Sequence, residues 1–313
     1  MKRPVTEVLR RSFDITLVNW PLIAIRIAEA MILMVILIGS ILAAVVPLIV
    51  SAGLSKDAIS RAANPAEAIS AVLVEHWMLL VYVILFATFV IGLLMALHSF
   101  VQGGSAQIYV DAERAGGSAD SIDRNRFAAF NMERFLGGGR KSWWSIFWIY
   151  NLGGSVGALI ILVPLLLTIV LMLALGDTTG KVVAGCAGLL LALLVLMPVG
   201  IIVSMWCEKA IAVTVARSAG PRDSLRAAWR EMKTDFGRHL AVALLITIAG
   251  FVLIGALSAL SVPMSFGSRH ANLPVLSMMF APVQIGISIV EGAASAISSA
   301  LMLAAFVVLT EER

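Results

Sequence analysis

The 313 residues are 60% hydrophobic and 13% charged, with a mean hydropathy of +0.98 and a formal net charge of +4. A soluble domain carries about 25% charged residues, so a deficit spread along the whole length excludes a water-soluble globule and indicates an all-α integral membrane protein. The basic residues lie in short loops rather than long runs, so nucleic acid is not an expected partner.

The N-terminus is basic, with Lys2, Arg3, Arg10 and Arg11. The uncharged stretch Met31–Val50 follows; it is longer than the roughly 7–15 residues of a secretory leader and reads as a retained first span. A helix needs about 20 apolar residues to cross a bilayer. Six runs qualify, at about 20–52, 77–102, 143–176, 182–206, 239–265 and 277–309. The segments 176–181 (GDTTGK) and 265–274 (SFGSRHANLP) read as short loops, and 54–76 as a longer one. The N-terminal segment, 103–142, 207–238 and the tail together hold eighteen Lys and Arg, whereas the other three loops hold four. Basic loops stay in the cytoplasm, which predicts both termini cytoplasmic. Trp20, Trp143, Trp144, Trp148, Trp206 and Trp229 fall near the inner face, with only Trp77 near the outer, as expected of an interfacial aromatic girdle.

The charged stretch 224–240, SLRAAWREMKTDFGRHL, lies between two spans. On a helix, Leu225, Ala228, Trp229, Met232 and Phe236 make one apolar stripe, with Arg226, Arg230 and Lys233 away from it. Such a helix lies in the membrane plane with its basic face toward anionic headgroups. Asp223 or Ser224 is the expected cap, and Gly237 the bend into the next span. Residues 8–22 align with 224–238: Leu9 with Leu225, Arg10 with Arg226, Phe13 with Trp229, Asn19 with Asp235, Trp20 with Phe236, and Pro21 with Gly237. A third segment, 124–139, precedes span three, and the pattern suggests three units, each an inner interfacial helix followed by a membrane hairpin. Arg10, Arg11, Arg226, Arg230, Lys233 and Arg238 are the candidate lipid-headgroup ligands.

The helix AAWREMKTDFGRHL, following a span that ends MWCEKAIAV, resembles the six-span membrane domain that precedes the catalytic domain of some bacterial glycerophosphodiester phosphodiesterases, and related stand-alone membrane proteins. No phosphodiesterase domain is present in the 313 residues, so the resemblance implies a fold and no activity.

Charges inside spans are functional candidates. Arg26 and Glu29 stand three apart in span one, Glu208 closes span four, and Glu291 begins an uncharged run in span six. Ser288, Gly292, Ala296, Ala300 and Ala304 recur every four residues as a helix-packing stripe, with Gly153 and Gly157 a local pair in span three and Ala184 and Gly188 one in span four. Pro47, Pro164, Pro198 and Pro263 lie within spans; kinked packing helices are the commoner reading, and broken helices lining a transporter site the alternative. Cys186 and Cys207, on one helix at about 1.5 Å per residue, are roughly 31 Å apart and cannot pair. His76, His98, His239 and His270 are scattered without metal-ligand spacing, so no metal or cofactor is expected. The favoured reading is a non-enzymatic membrane protein that organises lipid or a membrane partner complex, with a homo-oligomer as the other protein partner. A transporter or flippase of an apolar or amphipathic solute is the alternative. An intramembrane enzyme needs a convergent nucleophile or acid that the spacing does not supply.

Overall fold

In hydrocarbon, each spanning segment must satisfy its own backbone hydrogen bonds. A computed structural model of the chain describes residues 2–51, 77–117, 124–174, 178–270 and 274–312, and the regular elements among them are all helical. In chain order they are α1 (Val5–Val18), α2 (Pro21–Ser51), α3 (Trp77–Gly116), a 3-10 turn (Arg124–Phe127), α4 (Met132–Ala174), α5 (Thr178–Arg217), α6 (Pro221–Thr234), α7 (Phe236–His270) and α8 (Pro274–Glu311). Six of these, α2, α3, α4, α5, α7 and α8, are long and apolar enough to cross a membrane. The protein is therefore an all-α, multi-span membrane protein.

The helices overrun the expected spans. The segment 103–142 was read as a loop, yet α3 continues to Gly116 and α4 begins at Met132. Likewise Thr178–Lys181 and Ser265–His270 are helical rather than loop. The loop 54–76 lies outside the described residues. With 40, 43 and 40 residues, α3, α4 and α5 are each about 60 Å long, twice the roughly 30 Å of a hydrocarbon core. Hydropathy marks only the lipid-facing half of such helices; the inner half is apolar because it packs on protein. All four helices containing the span prolines run through them without a break.

The chain forms two packed units, Met1–Ile27 with Ser99–Arg313, and Ala28–His98. In the first, the C-terminal ends of α3, α5 and α8 make the core. Residues 303–310 of α8 are buried without interruption, as are 209–213 of α5 and 108–110 of α3. A helix end that is apolar all round is one that neighbours surround. Arg114 of α3 ties the three ends: Nε and Nη2 donate to the Glu311 carboxylate at 3.0 and 2.9 Å, and Nη2 also donates to the Ala216 carbonyl. Glycines let α3 and α4 cross closely. A Cβ on Gly104 would lie 2.6 Å from the Phe135 ring, and one on Gly138 would lie 2.5 Å from Gln107 Cβ.

Around this core, α1 packs on α7 and α8, and α6 on α4 and α5. The two short helices are both 14 residues long, and Val8, Ser12 and Thr16 are buried at the positions matching Ser224, Ala228 and Met232. Both end at an irregular residue, Asn19 (φ −97°, ψ 38°) or Asp235 (φ −136°, ψ 42°). The bend after α6 therefore falls at Asp235, whose carbonyl accepts from the Arg238 and His239 amides, and Gly237 lies within α7. Nor do Asp223 or Ser224 cap α6: it starts one turn earlier, with Gly220 extended at the N-cap and Pro221 at the first helical position, where its missing N–H costs nothing. The third segment forms no separate interfacial helix. Its 3-10 turn packs on α1, and α4 starts where the Asn131 side chain accepts from the Glu133 and Arg134 amides.

The second unit consists of residues 28–51 of α2 and 77–98 of α3. Large apolar side chains such as Met34, Val35, Leu85 and Phe89 are exposed there, the surface that lipid covers.

Candidate functional site

One face of α6 is a row of cations. Arg226, Arg230 and Lys233 are exposed and make no ion pair among the described residues, and Arg222 extends the stripe by one turn. Lys233 lies over the Trp229 ring at 5.2 Å, which leaves its ammonium at the edge of an aromatic platform. The opposite face is not bare apolar surface for lipid: Leu225, Ala228 and Met232 are buried in the protein core. Trp206 of α5 completes the attachment, its indole N–H donating to the Leu225 carbonyl at 2.8 Å and its ring 5.9 Å from that of Trp229.

A buried ion pair fastens α6 from beneath. Lys209 on α5 is fully buried; its Nζ lies 3.2 Å from Glu231 and donates to Thr310 Oγ1 of α8 at 2.9 Å. Arg217 holds the other Glu231 oxygen at 2.8 Å. Burial opposes ionisation of Glu231, but the charges of Lys209 and Arg217 outweigh it and hold the carboxyl below its ordinary range. At the end of α6, the hydrogen bond from Lys2 lowers the Asp235 carboxyl in the same sense.

Each candidate headgroup ligand has a distinct fate. Arg10, Arg226, Arg230 and Lys233 are exposed and stay candidates. Arg11 is a correction: it is buried, its guanidinium donating to both Glu113 oxygens and to the Gly117 carbonyl, because it sits on the α1 face that packs inward. Arg238 is a correction too, held in a two-point pair with Glu312 at 2.7 and 2.6 Å. Hydropathy and helical period place a cation on a helix, but not the acid 100 or 70 residues away that claims it.

The intramembrane candidates are polar links. Arg26 donates to Gln102 at 2.7 Å and to Ser299 at 2.9 Å. In the second unit, Glu29 is buried and meets His98 Nδ1 at 2.7 Å. Glu208 is half-buried on α5. Glu291 of α8 accepts from Ser258 Oγ of α7 at 2.7 Å. The small-residue stripe divides: Ala296, Ala300 and Ala304 are buried, but Ser288 and Gly292 are exposed, with open space where a Gly292 Cβ would point. Packing is confined to the inner end, where neighbours surround α8. Gly153 and Gly157 do pack, against Cys207 and Val203 of α5, and Gly188 packs against Thr168 of α4; the side chain of Ala184 lies outside those described. Both cysteines are free.

Sequence reasoning missed Lys209, Asn19 and Arg114 as organising residues. Asn19 uses its whole side chain: Nδ2 donates to the Ile15 and Phe127 carbonyls, and Oδ1 accepts from the Ala129 and Phe130 amides, at 2.8–3.0 Å. Its place in the aligned pair with Asp235 was the available signal.

Among the described residues, no group of three His, Cys, Asp or Glu is arranged to hold a metal. Fold and surface together define a six-helix, multi-span membrane protein whose two short helices carry exposed cations. No family model, curated protein or solved structure matches the chain, so its similarity to phosphodiesterase membrane domains rests on the residues quoted for it.

Proposed function

We propose that the protein is a non-enzymatic organiser of anionic lipid in a bacterial cytoplasmic membrane, built from three membrane hairpins, two of them preceded by a short amphipathic helix, with both termini cytoplasmic. The observation that carries this is the α6 stripe, Arg222, Arg226, Arg230 and Lys233, exposed and unpaired among the described residues while its helix is locked onto the core from behind. A rigidly held row of cations binds headgroups without paying to order the helix first. The three-unit reading is supported by the second helix of each hairpin, α3, α5 and α8, meeting at the centre, and by the matched burial of α1 and α6. The organised partner is lipid itself or a membrane protein attracted through it. The phosphodiesterase-type membrane domain supplies a fold precedent only.

Each Lys or Arg near an anionic surface contributes about 1 kcal/mol. Replacing Arg226, Arg230 and Lys233 with Gln should weaken binding of phosphatidylglycerol by roughly a hundredfold at low salt, less at physiological ionic strength. The assay is native mass spectrometry of the full chain titrated with phosphatidylglycerol against phosphatidylcholine. Equal lipid occupancy in both proteins would rule the reading out.

The Glu29–His98 pair favours one other reading, transport of an apolar or amphipathic solute, since an acid and an imidazole between two apolar helices is a common proton-handling arrangement. Solute flux in proteoliposomes that Glu29→Gln abolishes would select it.

A further inference from the structure

A groove of about 280 Å³ opens where α1 crosses α7 and α8. Leu9 and Phe13 form its α1 wall, Ile246 and Gly250 its α7 wall, and Ser298 and Leu301 its α8 wall. Its floor is closed because α7 and α8 approach tightly there: a Cβ on Gly250 would lie 2.6 Å from Ser298 Oγ. Its rim is open, with Phe13, Leu245 and Leu253 about half-exposed. At the α1 end stands Arg10, next to Leu9 and three residues before Phe13, exposed and without an ion pair among the described residues.

The matching helix shows what such a place requires. On α6, the counterparts of Leu9 and Phe13 are Leu225 and Trp229, and Trp206 meets both, through a hydrogen bond to the Leu225 carbonyl and a ring contact with Trp229. On α1 the same pair faces an unfilled groove. Apolar walls without partner atoms forgo their dispersion contacts, and in a membrane the available filler is hydrocarbon. The groove runs from α1, at the basic end of the molecule, along α7 and α8 toward their apolar halves, the direction an acyl chain takes from its headgroup.

We propose that this groove seats one acyl chain of a glycerophospholipid, with its phosphate at Arg10. The inference rests on the lipid-organising reading but assigns a specific lipid to a site separate from the α6 stripe. Arg10 attracts the phosphate; the groove selects for a chain that can lie between α7 and α8 rather than in bulk lipid.

The test uses the full chain in nanodiscs of phosphatidylglycerol and phosphatidylethanolamine, doped with a phospholipid carrying a mid-chain diazirine. After photolysis, peptide mapping compares the groove residues 245–253 and 297–301 with the lipid-facing residues 159–170 of α4. Labelling at the groove should exceed that at α4 at least fivefold. Ala249→Phe, which blocks the groove from an exposed position, should remove that excess while α4 labelling, the check on folding, stays constant. Arg10→Gln should lower it severalfold at limiting probe. Uniform labelling of groove and α4, or groove labelling below that of α4, would overturn the proposal. The Arg226, Arg230 and Lys233 variant separates the two readings. Unchanged phosphatidylglycerol binding with groove labelling still in excess sinks the stripe and keeps the groove; a fall in that binding, with groove labelling no greater than α4 labelling in both wild type and variant, sinks the groove alone.

Discussion

Removing Glu231 tests whether α6 is held to the core by charge. Lys209 has no exposed surface and has two polar partners, Glu231 and the neutral Thr310 hydroxyl. Glu231→Leu therefore leaves a buried ammonium with one hydroxyl, the situation in which breaking a buried pair costs about 3–5 kcal/mol. Lys209→Met is milder. Glu231 keeps Arg217 at 2.8 Å and its side chain is 14% exposed to water, so about 1–2 kcal/mol is lost. The double variant should cost less than the two singles together, with a coupling of about 1–3 kcal/mol, because neither charge is then stranded. The readout is amide hydrogen exchange of residues 221–234 by mass spectrometry, which reports local opening. Each 1.4 kcal/mol is tenfold, so exchange in α6 should quicken about a hundredfold or more in Glu231→Leu and about tenfold in Lys209→Met. Exchange within threefold of wild type in Glu231→Leu, or equal effects in the two singles, would refute the account.

Acid should reproduce part of this loss. The Glu231 carboxyl is held below its ordinary value of 4.5 in the folded protein, so its contribution is present above about pH 4.5 and disappears as pH falls through the lower, folded value; α6 exchange, corrected for intrinsic rates, should be flat from pH 6 to 8 and rise only in that acid window. Asn19→Ala removes four hydrogen bonds to backbone groups, and at about 2–3 kcal/mol it should lower the melting temperature by roughly 5 °C or more in a detergent thermal scan; Asn19→Asp, which keeps the acceptor but sets a buried carboxylate oxygen against two carbonyls, should be at least as destabilising. Gly104→Val should destabilise by about 1–3 kcal/mol through overlap with Phe135, while Gly137→Ala, with open space around its Cβ, should be neutral or slightly stabilising in the same scan. A cysteine at Ser60 in a chain lacking Cys186 and Cys207 should react with an impermeant maleimide from the side opposite the N-terminus; reaction from the same side would invert the assigned topology.

Hydropathy alone determined that six helices cross a membrane, because lipid requires about twenty uncharged residues in a row and few other structures supply them. The period of 3.6 likewise identified the buried face of α6 in part: Leu225, Ala228 and Met232 are where the stripe put them, while Trp229 and Phe236 are exposed. What that face touches was decided by tertiary structure. The same stripe serves a helix lying on lipid or one packed on protein, and only the fold shows Trp206, Lys209 and the inner end of α5 beneath it. The length of α3 and α4 was hidden for a related reason: their inner ends are apolar enough to pack yet too charged at Glu113, Arg114, Glu133 and Arg134 to read as span. Charge partners were hidden most completely. Arg11 and Arg226 look alike in sequence, two basic residues on amphipathic helices, but one lies 3.0 Å from Glu113 and the other faces open space. Local pattern specifies which way a side chain points; its partner comes from residues a hundred positions distant, which only the packed core brings into reach.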